Sequence, residues 1–143
     1  ITAIPNNLFG PNDNYDLESS HVIPAIMRKM HEAKLSNENV VLWGDGSPLR
    51  EFTYSKDLAE ILLFLLEHYN DPAPINVGNT QEYSIKEIAE MIAGIVGFSG
   101  EIVWDSKLIG LGWRRENYTD LRKALTETYK WVILNYPNLR GVS

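Results

Sequence analysis

Four groups of residues have the types and spacing that chemistry requires. The first is Pro5-Asn6-Asn7-Leu8-Phe9-Gly10-Pro11. An apolar strand that runs out into Asn, Gly and Pro leaves amide side chains and backbone groups at its carboxyl end, where ligands of open α/β sheets bind. The same composition also describes a plain strand-exit turn. The second is His21, at the amino end of a predicted helix. An imidazole there binds an anion or moves a proton, or is a surface or capping residue. The third is Arg28, Lys29 and His31 on that helix, either a basic cluster or a solvated face. The fourth is Trp43 at a strand end with Arg50 just past a Gly-Pro turn. An indole stacks on a base and a guanidinium holds a phosphate; the alternative is a core Trp43 and a surface ion pair of Arg50 with Asp57.

The elements that must carry these groups follow from periodicity. Residues 1–5 read as a buried strand, and 6–20 as a polar loop punctuated by Gly10-Pro11-Asn12-Asp13-Asn14. Val22, Ile23, Ile26, Met27, Met30 and Ala33 form the stripe of a helix over about 21–34, with Pro24 tolerable in its first turn. Short strands are predicted at 39–43, 75–78 and 101–104, and extended chain at 50–54 beyond the Gly44-Asp45-Gly46-Ser47-Pro48 turn. A helix capped by Ser55 spans 56–69, and its run Ile61 to Leu66 is expected to be buried. Ser84 and Glu87 make a capping box for a helix that stops at Gly97. Thr119 is expected to cap a last helix ending before Pro137. The class is α/β, with helices and a few short strands, too sparse for a complete doubly wound sheet.

Composition narrows the function. The 143 residues suffice for one domain, and 44% hydrophobic with 22% charged residues is ordinary for a globular protein. No apolar run reaches the roughly 18 residues of a membrane helix, and no signal-peptide pattern opens the chain, so cytoplasm is the expected compartment and no membrane a partner. A net charge of −6 argues against a nucleic-acid binder but permits a small anion held by local Arg, Lys and His. Without cysteine there is no disulfide, thiolate metal site or thiol nucleophile, and no metal is expected. GxGxxG, phosphate-loop, HExxH and serine-elbow motifs are absent, and Gly110-Leu111-Gly112 follows no strand that would make it one. Beginning inside a strand without Met, the chain reads as part of a longer protein. Residue types alone reach an anion-binding α/β fragment.

A resemblance goes further. Asn7-Leu8-Phe9-Gly10-Pro11-Asn12-Asp13-Asn14 followed by Ser20-His21-Val22-Ile23-Pro24-Ala25 resembles the GDP-L-fucose synthase family of extended short-chain dehydrogenase/reductases. The likeness continues through Val41-Leu42-Trp43-Gly44-Asp45-Gly46-Ser47-Pro48-Leu49-Arg50-Glu51-Phe52, Ile75-Asn76-Val77-Gly78 and Ser84-Ile85-Lys86-Glu87. Arg50-x-Phe52 with Asp57-Leu58-Ala59, and the Asn-Val-Gly strand, mark extended reductases generally; the Ser-His-Val-Ile-Pro setting is more specific.

The resemblance implies that residues 1–143 are a carboxy-terminal substrate-binding domain, with most of the Rossmann sheet and the NADPH-binding domain lying outside the chain. It implies 3,5-epimerisation and NADPH-dependent 4-reduction of a GDP-4-keto-6-deoxy sugar by the whole protein, a homodimer, with this part inactive alone. Pro5, Asn6, Asn7 and Leu8 would contact the nicotinamide end of the cofactor. His21 would be the acid/base residue and adjoin the cofactor, and Lys29, Trp43 and Arg50 would bind substrate. A further family loop would fall between Ser106 and Lys107. Two other readings stand beside this one: another nucleotide-sugar epimerase, dehydratase or reductase of the superfamily, and a non-catalytic nucleotide-sugar-binding module.

Overall fold

In the computed structural model, residues 1–105, 120–136, 138 and 139 are described. They form β1 (Ala3–Pro5), β2 (Asn7–Phe9), α1 (Val22–Ser36), β3 (Val40–Trp43), β4 (Leu49–Tyr54), α2 (Ser55–His68), β5 (Ile75–Val77), β6 (Glu82–Ser84), α3 (Ile85–Val96), β7 (Ile102–Asp105) and α4 (Leu121–Asn135). The α/β class with short strands holds. Gly110-Leu111-Gly112 and the loop expected between 106 and 107 lie outside the described residues.

The strands make three small sheets rather than one. β1 pairs parallel with β5, and β3 parallel with β7. β4 is the middle strand of the third sheet, parallel to β2 and antiparallel to β6. β2 falls in the stretch expected to be a polar loop, and β6 in one where no element is predicted, save that Ser84 is read as a helix cap. Each is three residues long, too short to show a period of two, and only pairing with β4 makes it a strand.

Helices α1, α3 and α4 supply the core. Ile23, Met27 and Met30 of α1 meet Ile88 and Ile92 of α3 and Leu125 and Val132 of α4 in one buried cluster. Ser84 caps α3 as expected: its hydroxyl accepts from Glu87 N–H at 3.1 Å while the Glu87 carboxylate accepts from Ser84 N–H at 2.7 Å. Gly97 ends α3 in the left-handed region at φ 69°. Ser84→Ala is expected to lower unfolding free energy by about 1 kcal/mol, read as a reduced urea midpoint with unchanged slope.

Four expectations fail for identifiable reasons. Ser55 is the first residue of α2 rather than its cap; Tyr54 is the N-cap and makes no side-chain bond. Asp120 caps α4, accepting from Lys123 N–H at 3.0 Å, where a cap by Thr119 was expected; Thr119 itself lies outside the described residues. Ile61–Leu66 is not a buried run: within it only Leu65 is buried, with Leu63, Phe64 and Leu66 exposed by 64%, 59% and 71%. Likewise β1 is not a buried strand, since Ile1 and Ile4 are more than half exposed. An apolar run reports a preference for burial without supplying the surface that buries it, and nothing among the described residues packs on these faces.

Candidate functional site

β4 is the hinge of the site, because successive side chains of a strand point to opposite faces. Arg50 and Phe52 face one cavity, while Glu51 and Thr53 turn away into a buried polar cluster. Beside β4 runs β2, which ends its sheet and so has one backbone edge not used in pairing.

Two cavities meet along β2. One, of about 450 Å³, is lined by residues 6–13 with His21 and Ser55. The other, of about 300 Å³, is lined by Asn7, Leu8, His21, Trp43, Pro48, Arg50 and Phe52, among others. Asn7, Leu8 and His21 line both. A third cavity of about 230 Å³ adjoins through Val22, Trp43 and Ile85 and is lined also by Lys29. The first two have the size of small-molecule sites.

His21 is the N-cap of α1 by its backbone, its carbonyl accepting from Ala25 N–H at 3.1 Å, but its side chain makes no capping bond. The exposed imidazole has no hydrogen-bond partner among the described residues. Its place is fixed by the preceding turn. One Asp16 carboxylate oxygen accepts from Glu18 N–H, Ser19 N–H and Ser19 hydroxyl at 3.0, 2.9 and 2.8 Å, and the Ser19 bonds hold that carboxyl below its usual range. Arg28 Nη1 donates to the Tyr15 carbonyl at 3.0 Å and so ties this loop to α1. Of these supporting residues, Asp16, Glu18 and Ser19 were legible only as loop composition.

Arg28, Lys29 and His31 do not act as one basic cluster, nor as one solvated face. Arg28 also pairs with Glu32 at 2.8 Å, its side chain only 12% exposed. His31 is half-buried against α4, with Nδ1 2.9 Å from the Tyr129 hydroxyl, and burial lowers its pKa. Lys29 alone reaches the cavities: Nζ donates to the Val41 carbonyl at 3.0 Å and lies 5.3 Å from the Trp43 ring centroid. Burial lowers its pKa too.

Trp43 is 64% exposed and is not a core residue. Arg50 donates to the Leu49 carbonyl at 2.7 Å and has no ion pair among the described residues, so the pair with Asp57 does not form. The indole and guanidinium line one cavity with His21, and Lys29 stands one cavity further along. Pro5 remains in β1, paired with Val77, and lines none of the three.

The first cavity presents mixed polar and apolar groups on its β2 side. Exposed Asn7 donates Nδ2 to the Glu51 carbonyl at 3.1 Å and has its Oδ1 unpartnered among the described residues. With the unpaired edge of β2, that gives both donors and acceptors beside the apolar side chain of Leu8. Among the described residues no group of three His, Cys, Asp or Glu is placed to hold a metal, and no helix is long and apolar enough to cross a membrane.

Residues 1–78 match the NAD dependent epimerase/dehydratase family. Probable GDP-L-fucose synthase 1 of Oryza sativa subsp. japonica is 45% identical over 94% of this chain and 45% of its own length. GDP-L-fucose synthase 1 of Arabidopsis thaliana is 44% identical over 96% and 47%. A crystal structure of a GDP-L-fucose synthetase from Naegleria fowleri bound to NADP superposes with TM-score 0.91 at 34% identity, covering 96% of this chain and 48% of that one. The chain spans about half the length of the relatives it matches.

Proposed function

The chain belongs to the NAD dependent epimerase/dehydratase family, and from that premise we propose that it is the carboxy-terminal, substrate-binding part of an NADPH-dependent GDP-L-fucose synthase. The observation that carries this reading is His21, an imidazole without a structural side-chain bond, lining two cavities. The likeness to GDP-L-fucose synthases at 44–45% identity favours it over other sugar nucleotides and over a non-catalytic module. The open apolar faces of β1 and α2 support a further part of the protein, carrying most of the cofactor site, packed against them.

In this reading the segment from Asn6 to Leu8 receives the nicotinamide end of NADPH, which would supply the hydride for C4. The GDP-sugar occupies the cavity beyond, with Arg50 on the diphosphate, Trp43 against a flat or apolar face and Lys29 at its far margin. The 4-keto group acidifies the C3 and C5 protons. Once a base has taken each proton, His21 returns one to the carbon from the opposite face, inverting the centre, and is reprotonated from solvent, to which it is exposed.

The test is an assay of the intact protein with GDP-4-keto-6-deoxy-D-mannose and NADPH, following NADPH consumption and the sugar product. Formation of GDP-L-fucose is the expected result. Turnover only with a UDP- or dTDP-linked sugar would move the chain to a sister enzyme. No turnover with any of them would leave a binding module.

A further inference from the structure

We propose that Glu51 is a positioning residue that, through Asn6, holds in place the segment Asn7-Leu8 that lines both cavities. Asn6 stands at the joint where the chain leaves one sheet for another: β1 before it pairs with β5, and β2 after it pairs with β4. Its backbone N–H still donates to the Val77 carbonyl at 3.1 Å, while its side chain is held from the β4 side. Asn6 Nδ2 donates to Glu51 Oε2 at 3.0 Å and to the Asn79 carbonyl at 3.1 Å. Its Oδ1 accepts from the Thr53 hydroxyl, which in turn accepts from Asn79 N–H at 2.8 Å. The opposite amide orientation would aim Oδ1 at two acceptors, so the network admits one arrangement.

Glu51 holds the next residue as well, its carbonyl accepting from Asn7 Nδ2 at 3.1 Å. Glu51 is 5% exposed and Thr53 fully buried. On the far side Gly78 leaves no space: a Cβ there would collide with the Asn6 side chain. Asn6 is thus fixed by hydrogen bonds on one side and by contact on the other. Asn7 and Leu8, which line both cavities with His21, inherit that position. Residues that border both the hydride donor and the sugar must be placed to better than about 1 Å, since misplacement on that scale costs about a hundredfold in rate.

The Glu51 carboxylate is an expensive way to make this bond, because Oε1 is buried without a hydrogen-bond partner among the described residues. A Gln offers the same acceptor without the buried charge, so Glu51→Gln is expected to fold and to keep the Asn6 contact. Glu51→Ala removes the contact. Thr53→Val, of matching shape, removes the other hold on the Asn6 amide.

The experiment uses the intact protein in two parts, of which only the kinetic part rests on the proposed reductase function. In NMR of the asparagine-labelled protein, the Asn6 side-chain amide should exchange slowly with solvent. Loss of one hydrogen bond to a charged group should speed it about tenfold or more in Glu51→Ala; Thr53→Val should speed it too, and Glu51→Gln should not. In the NADPH-dependent reaction, kcat should fall about tenfold in Glu51→Ala and Thr53→Val with little change in KM for the GDP-sugar, and Glu51→Gln should restore it. Unchanged Asn6 exchange in Glu51→Ala, or in Thr53→Val should the alanine variant not fold, overturns the proposal. So does a kcat loss that Glu51→Gln fails to restore. A wild-type protein inactive on the GDP-sugar defeats the proposed function and leaves Asn6 exchange to decide the role of Glu51.

Discussion

Replacement of His21 by Asn or Gln in the intact protein is expected to slow exchange of the sugar C3 and C5 protons with solvent by about 10²–10⁴-fold, the usual contribution of a general acid/base group. Binding of the GDP-sugar should change much less. The structure separates this effect from a folding defect. The His21 side chain makes no capping bond to α1 and no hydrogen bond among the described residues, so its loss removes no internal contact of that kind. Asn is also a better N-cap than most residues, and His21→Asn should melt no lower than the wild type. A stable protein that binds the sugar nucleotide but does not exchange its ring protons is therefore the expected phenotype. Deuterium entering the sugar at the wild-type rate in D₂O would remove His21 from the chemistry.

What the sequence disclosed depended on how local each cause was. Ser84 with Glu87, and Gly97 after Val96, were legible because a capping box and a left-handed stop act within a few residues. The stripe of α1 was legible because Ile23, Met27 and Met30 repeat at helical spacing. Thr119 and Asp120 are neighbouring cap-forming types, and composition alone did not rank them. His21, Trp43 and Arg50 were singled out by type and resemblance, but their meeting in one cavity depends on where β3 and β4 fall relative to α1. The Asn6–Glu51–Thr53–Asn79 network was not legible: it exists only once β2 and β4 are paired in the register Asn7 to Phe52. α2 was misjudged for the complementary reason, since the surface that would cover Leu63, Phe64 and Leu66 is not encoded in their own run.

Arg50→Ala is expected to raise the dissociation constant for GDP by about tenfold to a hundredfold. The guanidinium is half-exposed, uses Nη1 on the adjacent Leu49 carbonyl, and keeps its other N–H groups without partners among the described residues, at the margin of the cavity that holds His21 and Trp43. A charge-assisted hydrogen bond contributes roughly 1.5–3 kcal/mol, and about 1.4 kcal/mol is a factor of ten. Partial exposure weakens the interaction through solvent and salt, so the loss should be smaller at high ionic strength. Arg50→Lys should recover only part of the affinity, because an ammonium lacks the planar fork that meets two phosphate oxygens at once. The competing role was structural, as an ion-pair partner of Asp57. With that pair not formed, removing the guanidinium should leave the melting temperature nearly unchanged. Measuring GDP affinity and melting temperature on the same intact variant decides between the roles: weakened binding at constant stability places Arg50 on the diphosphate, and unchanged binding with a lowered melting temperature makes it part of the scaffold.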